Sequence, residues 1–203
     1  MTDTTVQFIK NWFAMKYNFD YLVYIGRFQP FHLAHMQTIQ IALSQSENVV
    51  LALGSAQAER NTKNPFLATE REQMILSNFS KDDQARIQFV HVIDVYNDEK
   101  WQKLVKKLVN DIVQPENHIG LIGHFKDDSS YYLKFFPEWP LVELESLKDA
   151  ISATPLREAY YRGEIQTEYF PAGTIEFLKA FQQNSIYPQL VEKYQQNDRT
   201  NLS

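Results

Sequence analysis

The chain has 203 residues, 44% hydrophobic and 22% charged, with a formal charge of −5 and an isoelectric point near 5.5. This is the composition of a soluble globular protein built on one main domain, and its acidity argues against a broad electrostatic grip on nucleic acid or an anionic membrane. The absence of cysteine excludes disulfide frameworks, Cys-ligated zinc and thiol catalysis, and fits the cytoplasmic location expected here.

The opening stretch, MTDTTVQFIKNWFAMKYNF, lacks the basic start and unbroken apolar run of a signal peptide, and no segment reaches membrane-spanning length. Val6, Ile9, Trp12 and Phe13 fall at helical spacing, so residues 1–19 read as an N-terminal extension or a packed helix, with Met15 as a second candidate start. Five apolar runs then read as strands: YLVYIG at 21–26, NVVLALG at 48–54, RIQFVHVI at 86–93, HIGLIG at 118–123 and WPLVELE at 139–145. Between them, Leu33, Met36, Ile39 and Leu43 share one helical face, and Trp101, Leu104, Val105, Leu108, Val109 and Ile112 form a stronger stripe. Thr69 with Glu72 forms a capping-box pattern for a helix through Met74 to Phe79. Thr154 and Pro155 read as N-cap and N1 of a helix ended by Gly163, and a further helix is expected from Pro171 to Gln183. The pattern predicts an α/β Rossmann-like parallel sheet of about five strands with helices on both faces. It occupies 20–190, and 191–203 reads as a polar tail or linker.

Parallel strands point the same way, so the polar cluster after each one faces the rim where such sheets take ligands. GRFQPFHLAH follows the first strand and opens a helix, where backbone N–H groups and the positive helix end can meet an anion. Within it, His32 and His35 are spaced to share a helix face and to donate to a phosphate, or simply to cap and pack the turn. Two histidines without HExxH spacing or a third ligand make a weak zinc site, so no protein-held metal is expected. Arg27, Lys63 and Arg157 are candidate cations for a polyphosphate, or solvated charges at element ends. Ser152 and Thr154 in ISATPLR offer hydroxyls for phosphate or for capping. Trp101 is either the first core residue of its stripe or an edge of the cleft, and Asp94, Asn97 and Asp98 beside it either meet a ribose or cap the helix. KDDSSYY offers ligand groups or an acidic N-terminal turn.

These stretches resemble a known family. GRFQPFHLAH resembles the (H/T)xGH signature of nucleotidylyltransferases in the GRxQPFHxGH form of archaeal-type nicotinamide mononucleotide adenylyltransferases. GSAQ with NPFLATER resembles that family's GSAQ...PFTAGER, and ISATPLR its SGTxxR-like motif. GHFKDDSSYYLKFFPEW is closer to the bacterial branch, whose members often carry a C-terminal Nudix hydrolase domain. The GX5EX7REUXEEXGU pattern of that domain is absent, so the chain reads as a stand-alone enzyme or the first part of a longer natural protein. Ala34 and Lys63 stand where relatives have Gly and often Arg. The first adds one methyl to a helical turn, and the second keeps charge but lacks the guanidinium fork.

The resemblance implies that nicotinamide mononucleotide attacks the α-phosphorus of ATP, giving NAD and pyrophosphate, with Mg²⁺ riding on the ATP phosphates. By the same analogy His32, His35 and Arg157 form the catalytic set. Gly26, Arg27, Gln29, Lys63, Ser152 and Thr154 hold ATP and its phosphates, and Asn97, Asp98 and Trp101 hold the mononucleotide. The alternatives are another adenylyl- or cytidylyltransferase of this fold, or a non-catalytic module sensing NAD or ATP. The sequence leaves open a homo-oligomer and the choice between nicotinamide and nicotinate mononucleotide.

Overall fold

The computed structural model describes residues 17–124, 128–145 and 152–201, so the N-terminal segment, apart from its last residues, lies outside the described residues. Five strands form one all-parallel sheet: β1 (Phe19–Gly26), β2 (Ser46–Leu53), β3 (Ile87–His91), β4 (Ile119–Gly123) and β5 (Leu141–Glu143), in the order β3-β2-β1-β4-β5. Strand order reverses at β1, and the sequence periodicity shows why both sheet faces are covered. Along β2, Val49, Leu51 and Leu53 enter one core while Val50 and Ala52 enter the other. The first core takes helices α1 (Leu33–Gln45), α2 (Ala68–Leu76), α5 (Ala153–Tyr161), α6 (Ala172–Gln182) and α7 (Ile186–Asn201). The second takes α4 (Asp98–Asn110), through buried Val105 and Val109, and the 3-10 segment Asp128–Phe135. The short α3 (Lys81–Gln84) precedes β3.

Pairing lengths place the opening. β1 pairs β2 from Phe19 through Gly26, but its partnership with β4 ends at Val23 and Leu121. The carboxyl ends of β1 and β4 therefore part at the point of order reversal, where open α/β sheets hold ligands.

All five strands stand close to their sequence positions, whereas two helix starts are corrected. α2 begins ahead of Thr69: Leu67 is its N-cap, its N–H donating to the Glu70 carboxylate at 2.8 Å, and Glu70 also holds Arg60 through two contacts of 2.7 Å. α5 is capped by Ser152, which accepts from the Thr154 N–H, so Thr154 and Pro155 lie inside the first turn. At its other end Gly163 has φ +90; the Gly163 and Glu164 N–H groups donate to Tyr160 and Ala159 carbonyls at 3.0 Å, closing a Schellman turn. The stretch from Gln195 to Asn201 continues α7 as helix, anchored upstream by buried Leu190 and by Tyr194 against Tyr161. Among the described residues no helix is long and apolar enough to cross a membrane.

Gly163→Ala places a Cβ on a left-handed residue and should destabilise the fold by about 1–2 kcal/mol. Urea or thermal unfolding will show the loss, with steady-state turnover of the folded fraction unchanged.

Candidate active site

The loop from β1 to α1 makes the floor of the opening. An added Cβ at Gly26 would lie 2.9 Å from the Phe28 ring, so the strand must end on glycine, and its carbonyl accepts from the Gly54 N–H at 2.9 Å. Phe28 itself is left-handed, φ 53, and turns its ring into the core. His32 is the buried N-cap of α1 and stacks on the His35 ring at 3.6 Å between centroids. The His32 N–H donates to His35 Nδ1 at 3.4 Å, which leaves Nε2 as the protonated nitrogen of a neutral His35 ring. Phe28 and Phe31 hold that ring edge-on and face-on.

His35 borders a cavity of about 390 Å³ between the β1 and β4 ends, with Gly26, Arg27, Gly54 and His124 also on its wall. Next to it lies a cavity of about 480 Å³ lined by Tyr96, Asn97, Asp98 and Tyr131, and the two share Arg27, Asp94, Trp101 and Tyr132. One is bordered by two histidines and a helix N-terminus, the other mainly by aromatic rings, with Arg27 on both, and both sizes suit small ligands. Burial raises the pKa of Tyr132 to about 12 and that of Tyr24 higher still, so both phenols are neutral at ordinary pH.

GSAQ positions the junction. Ser55, left-handed at φ 51, donates to Asp94 at 3.2 Å, while Gln57 accepts from the Asp94 N–H at 3.0 Å. Asn97 caps α4 through the Lys100 N–H at 2.9 Å and still lines the second cavity. Trp101 is half-buried, edge-on to Tyr132 and Phe136, so it is at once part of the second core's margin and a wall of both cavities. Tyr131 donates to Asp98 across the mouth at 3.2 Å.

Other expected ligands are placed differently. Gln29 is 2% exposed, and its amide must be satisfied internally: it donates to the Phe66 carbonyl at 2.7 Å and accepts from the Phe66 N–H at 3.0 Å. Arg157, 6% exposed, donates to the carbonyls of Gln29 at 2.8 Å and Thr62 at 3.0 Å, bracing the rim from behind. Lys63 and Thr154 border, with Arg157, a separate cavity of about 490 Å³ rather than the one beside His35, and Ser152 is exposed at its cap. Lys126, Asp127 and Ile151 lie outside the described residues.

Two side chains without an assigned part in the sequence reading belong to the site. His124 lines the first cavity and bridges Thr38 of α1, at 3.4 Å, and the Leu144 carbonyl, at 3.2 Å. Arg71 of α2 lies beneath the floor, donating to the carbonyls of Arg27 at 2.7 Å and Gly54 at 2.8 Å. Burial lowers the pKa of Arg71 to about 10 and depresses that of Arg157, and Arg27 adds repulsion to both. Arg27 thus disfavours the charge of both buried guanidinium groups, an arrangement that an anion relieves. The signal for Arg71 was its place in NPFLATER, but nothing local distinguishes it from a surface helix arginine. Among the described residues no group of three or more His, Asp or Glu side chains forms a cage for a metal ion.

Comparison with known proteins places the chain in a family. Residues 23–159 match the cytidylyltransferase-like family. The nicotinamide/nicotinic acid mononucleotide adenylyltransferase of Acinetobacter baylyi is 68% identical over 186 residues, covering 92% of this chain and 99% of that protein. The nicotinamide-nucleotide adenylyltransferase of Thermococcus onnurineus is 29% identical over 160 residues, 77% of this chain and 81% of that one. Among solved structures, a bifunctional NMN adenylyltransferase/ADP ribose pyrophosphatase from Francisella tularensis superimposes with a TM-score of 0.81 at 34% identity, covering 91% of this chain and 56% of that chain. The present chain thus spans little more than half of that protein, which has also been solved with AMP and a manganese ion. With its fold, its strand-end loops and these relatives in agreement, the chain belongs to the cytidylyltransferase-like family and, within it, to the mononucleotide adenylyltransferases.

Proposed function

We propose that this protein is a nicotinamide-nucleotide adenylyltransferase, joining ATP and nicotinamide mononucleotide to give NAD and pyrophosphate. The observation that carries the reading is the pair of cavities sharing Arg27, Asp94, Trp101 and Tyr132, one against His35 and the α1 N-terminus, the other walled by aromatic rings. The first suits the reacting phosphates and the second a pyridine ring with its ribose.

The attacking group is the mononucleotide phosphate, already an anion at neutral pH. One of its oxygens bonds to the α-phosphorus of ATP as the bond to the β-phosphate oxygen breaks, and the electron pair leaves with pyrophosphate. No general base is required. The protein's work is to hold two repelling anions in line and to meet the charge that builds on the phosphoryl oxygens. His35 does so through Nε2–H, His32 keeps its ring in place, and Arg27 spans both cavities. Lys63 and the start of α5, with Thr154, serve the far end of the triphosphate, while Arg157 fixes the Gln29 and Thr62 backbone behind it. Trp101 stacks on the pyridine, with Asn97 and Asp98 at the ribose. Among the described residues no metal cage is formed, and Mg²⁺ bound to the ATP phosphates would supply charge neutralisation there.

A pyrophosphate-release assay with ATP and nicotinamide mononucleotide tests the reading, with nicotinate mononucleotide, phosphopantetheine and phosphorylated alcohols as competing acceptors. Turnover confined to another acceptor, or ATP binding with no turnover on any, would replace it. His35→Ala should fold and lose on the order of 10²-fold or more in kcat, since one donor to transition-state charge is removed. Trp101→Ala should raise KM for the mononucleotide by about 5-fold to 150-fold, the equivalent of roughly 1–3 kcal/mol of ring stacking, and KM for ATP far less. Melting temperature and both Michaelis constants, measured on one preparation, separate lost stacking from lost packing.

A further inference from the structure

Arg71 is 1% exposed, and the carboxylates on either side of it in sequence are engaged elsewhere, Glu70 by Arg60 and Glu72 by His91 at 2.5 Å. Its Nε is buried with no acceptor, and its nearest partners are two carbonyls rather than an anion. A buried guanidinium in this state is costly unless a charge of opposite sign lies close. The two carbonyls belong to Arg27 and Gly54, whose residues line the cavity beside His35. Because a trans peptide directs its C=O and N–H oppositely, holding these carbonyls turns the N–H groups of Phe28 and Ser55 away from Arg71. Both residues are left-handed, at φ 53 and 51, one after β1 and the other after β2.

We propose that Arg71 is a positioning residue for adenylyl transfer, a buried cation whose field acts on the phosphate of the substrates and which sets the Phe28 and Ser55 peptides for them. It acts through the backbone of the floor and through its field, without touching substrate. The inference rests on the phosphate-site reading of the His35 cavity. Glu72 and Asp94 attract the Arg71 charge and Arg27 repels it, but neither carboxylate bonds the guanidinium, whose hydrogen bonds go to the two carbonyls, so a phosphate in the cavity adds to an incomplete counter-charge. Phosphate binding then couples to the order of both strand ends, since the anion relieves that repulsion while meeting the N–H groups the arginine has oriented.

The test compares the full chain with Arg71→Gln and Arg71→Lys, reading the melting temperature with and without pyrophosphate or MgATP, then kcat and both KM values. Gln keeps a donor to the carbonyls but no charge, so the expected result is a loss in MgATP and pyrophosphate affinity on the order of tenfold. The ligand-induced thermal shift should shrink, with little change in the ligand-free melting temperature. Lys should restore most of the affinity. Equal impairment of both variants, tracking a fall in ligand-free melting temperature while the ligand-induced shift persists, would make Arg71 a packing residue and overturn the proposal. If Arg71→Gln does not fold, Arg71→Lys decides: a wild-type-sized pyrophosphate shift supports the proposal, and a lost shift at normal ligand-free stability refutes it. A wild-type chain unmoved by either ligand would instead overturn the phosphate-site reading, and this inference with it.

Discussion

The early end of the β1–β4 pairing is the constraint on which the site depends. β1 stays bound to β2 up to Gly26 but leaves β4 after Val23, so three residues of β1 face an opening in place of a neighbour. Backbone groups there are available to something other than a strand, and every crossover in a parallel sheet returns its next polar loop to the same rim. The loops carrying Arg27, Ser55, Asp94 and His124 thus meet without being near in sequence, and the N-terminus of α1 adds its positive end. The two cores on opposite sheet faces fix the strands that frame this opening, because alternate residues of β1 and β2 commit them to both at once.

Much of this was legible from residue order. Buried parallel strands are short apolar runs bounded by polar loops, and all five were marked in that way. The rim followed from the rule that parallel strands share one carboxyl edge, which is why Arg27, His35, Asp94, Asn97, Asp98 and Trp101 were grouped and do line the adjoining cavities. Helix starts were less legible because capping is decided by competition: Glu70 serves the Leu67 N–H together with Arg60, a residue in a loop whose path the local pattern does not contain.

What the sequence could not show was which polar groups turn inward. Gln29, Arg71 and Arg157 all occur in motif stretches that suggest contact with a ligand, yet all three are buried and bond to main-chain atoms of other loops. Burial is a property of the assembled rim, and the partners that join these side chains to other loops lie far off in the chain, 17 positions for Arg71 with Gly54 and 128 for Arg157 with Gln29. The opposite assignment for Trp101, core or cleft, did not need deciding, since the start of α4 lies where the second core ends and the cavities begin.

The buried arginines also explain how an acidic chain can direct positive charge at a phosphate. With a formal charge of −5, the protein's overall field repels nucleotides, so attraction must come from charges close to the cavity and shielded from solvent. Arg27 provides the exposed charge, whereas Arg71 and Arg157 lie behind it, where water and salt screen them least. Their hydrogen bonds to carbonyls go to main chain rather than to a carboxylate, so Glu72 and Asp94 near Arg71, and Glu158 near Arg157, offset the charge only from a distance. A salt bridge at either position would favour the empty protein but neutralise the field. Main-chain acceptors leave the charge in place for the incoming phosphates, while the apolar cores on both sides of the sheet stabilise the fold that has to contain it.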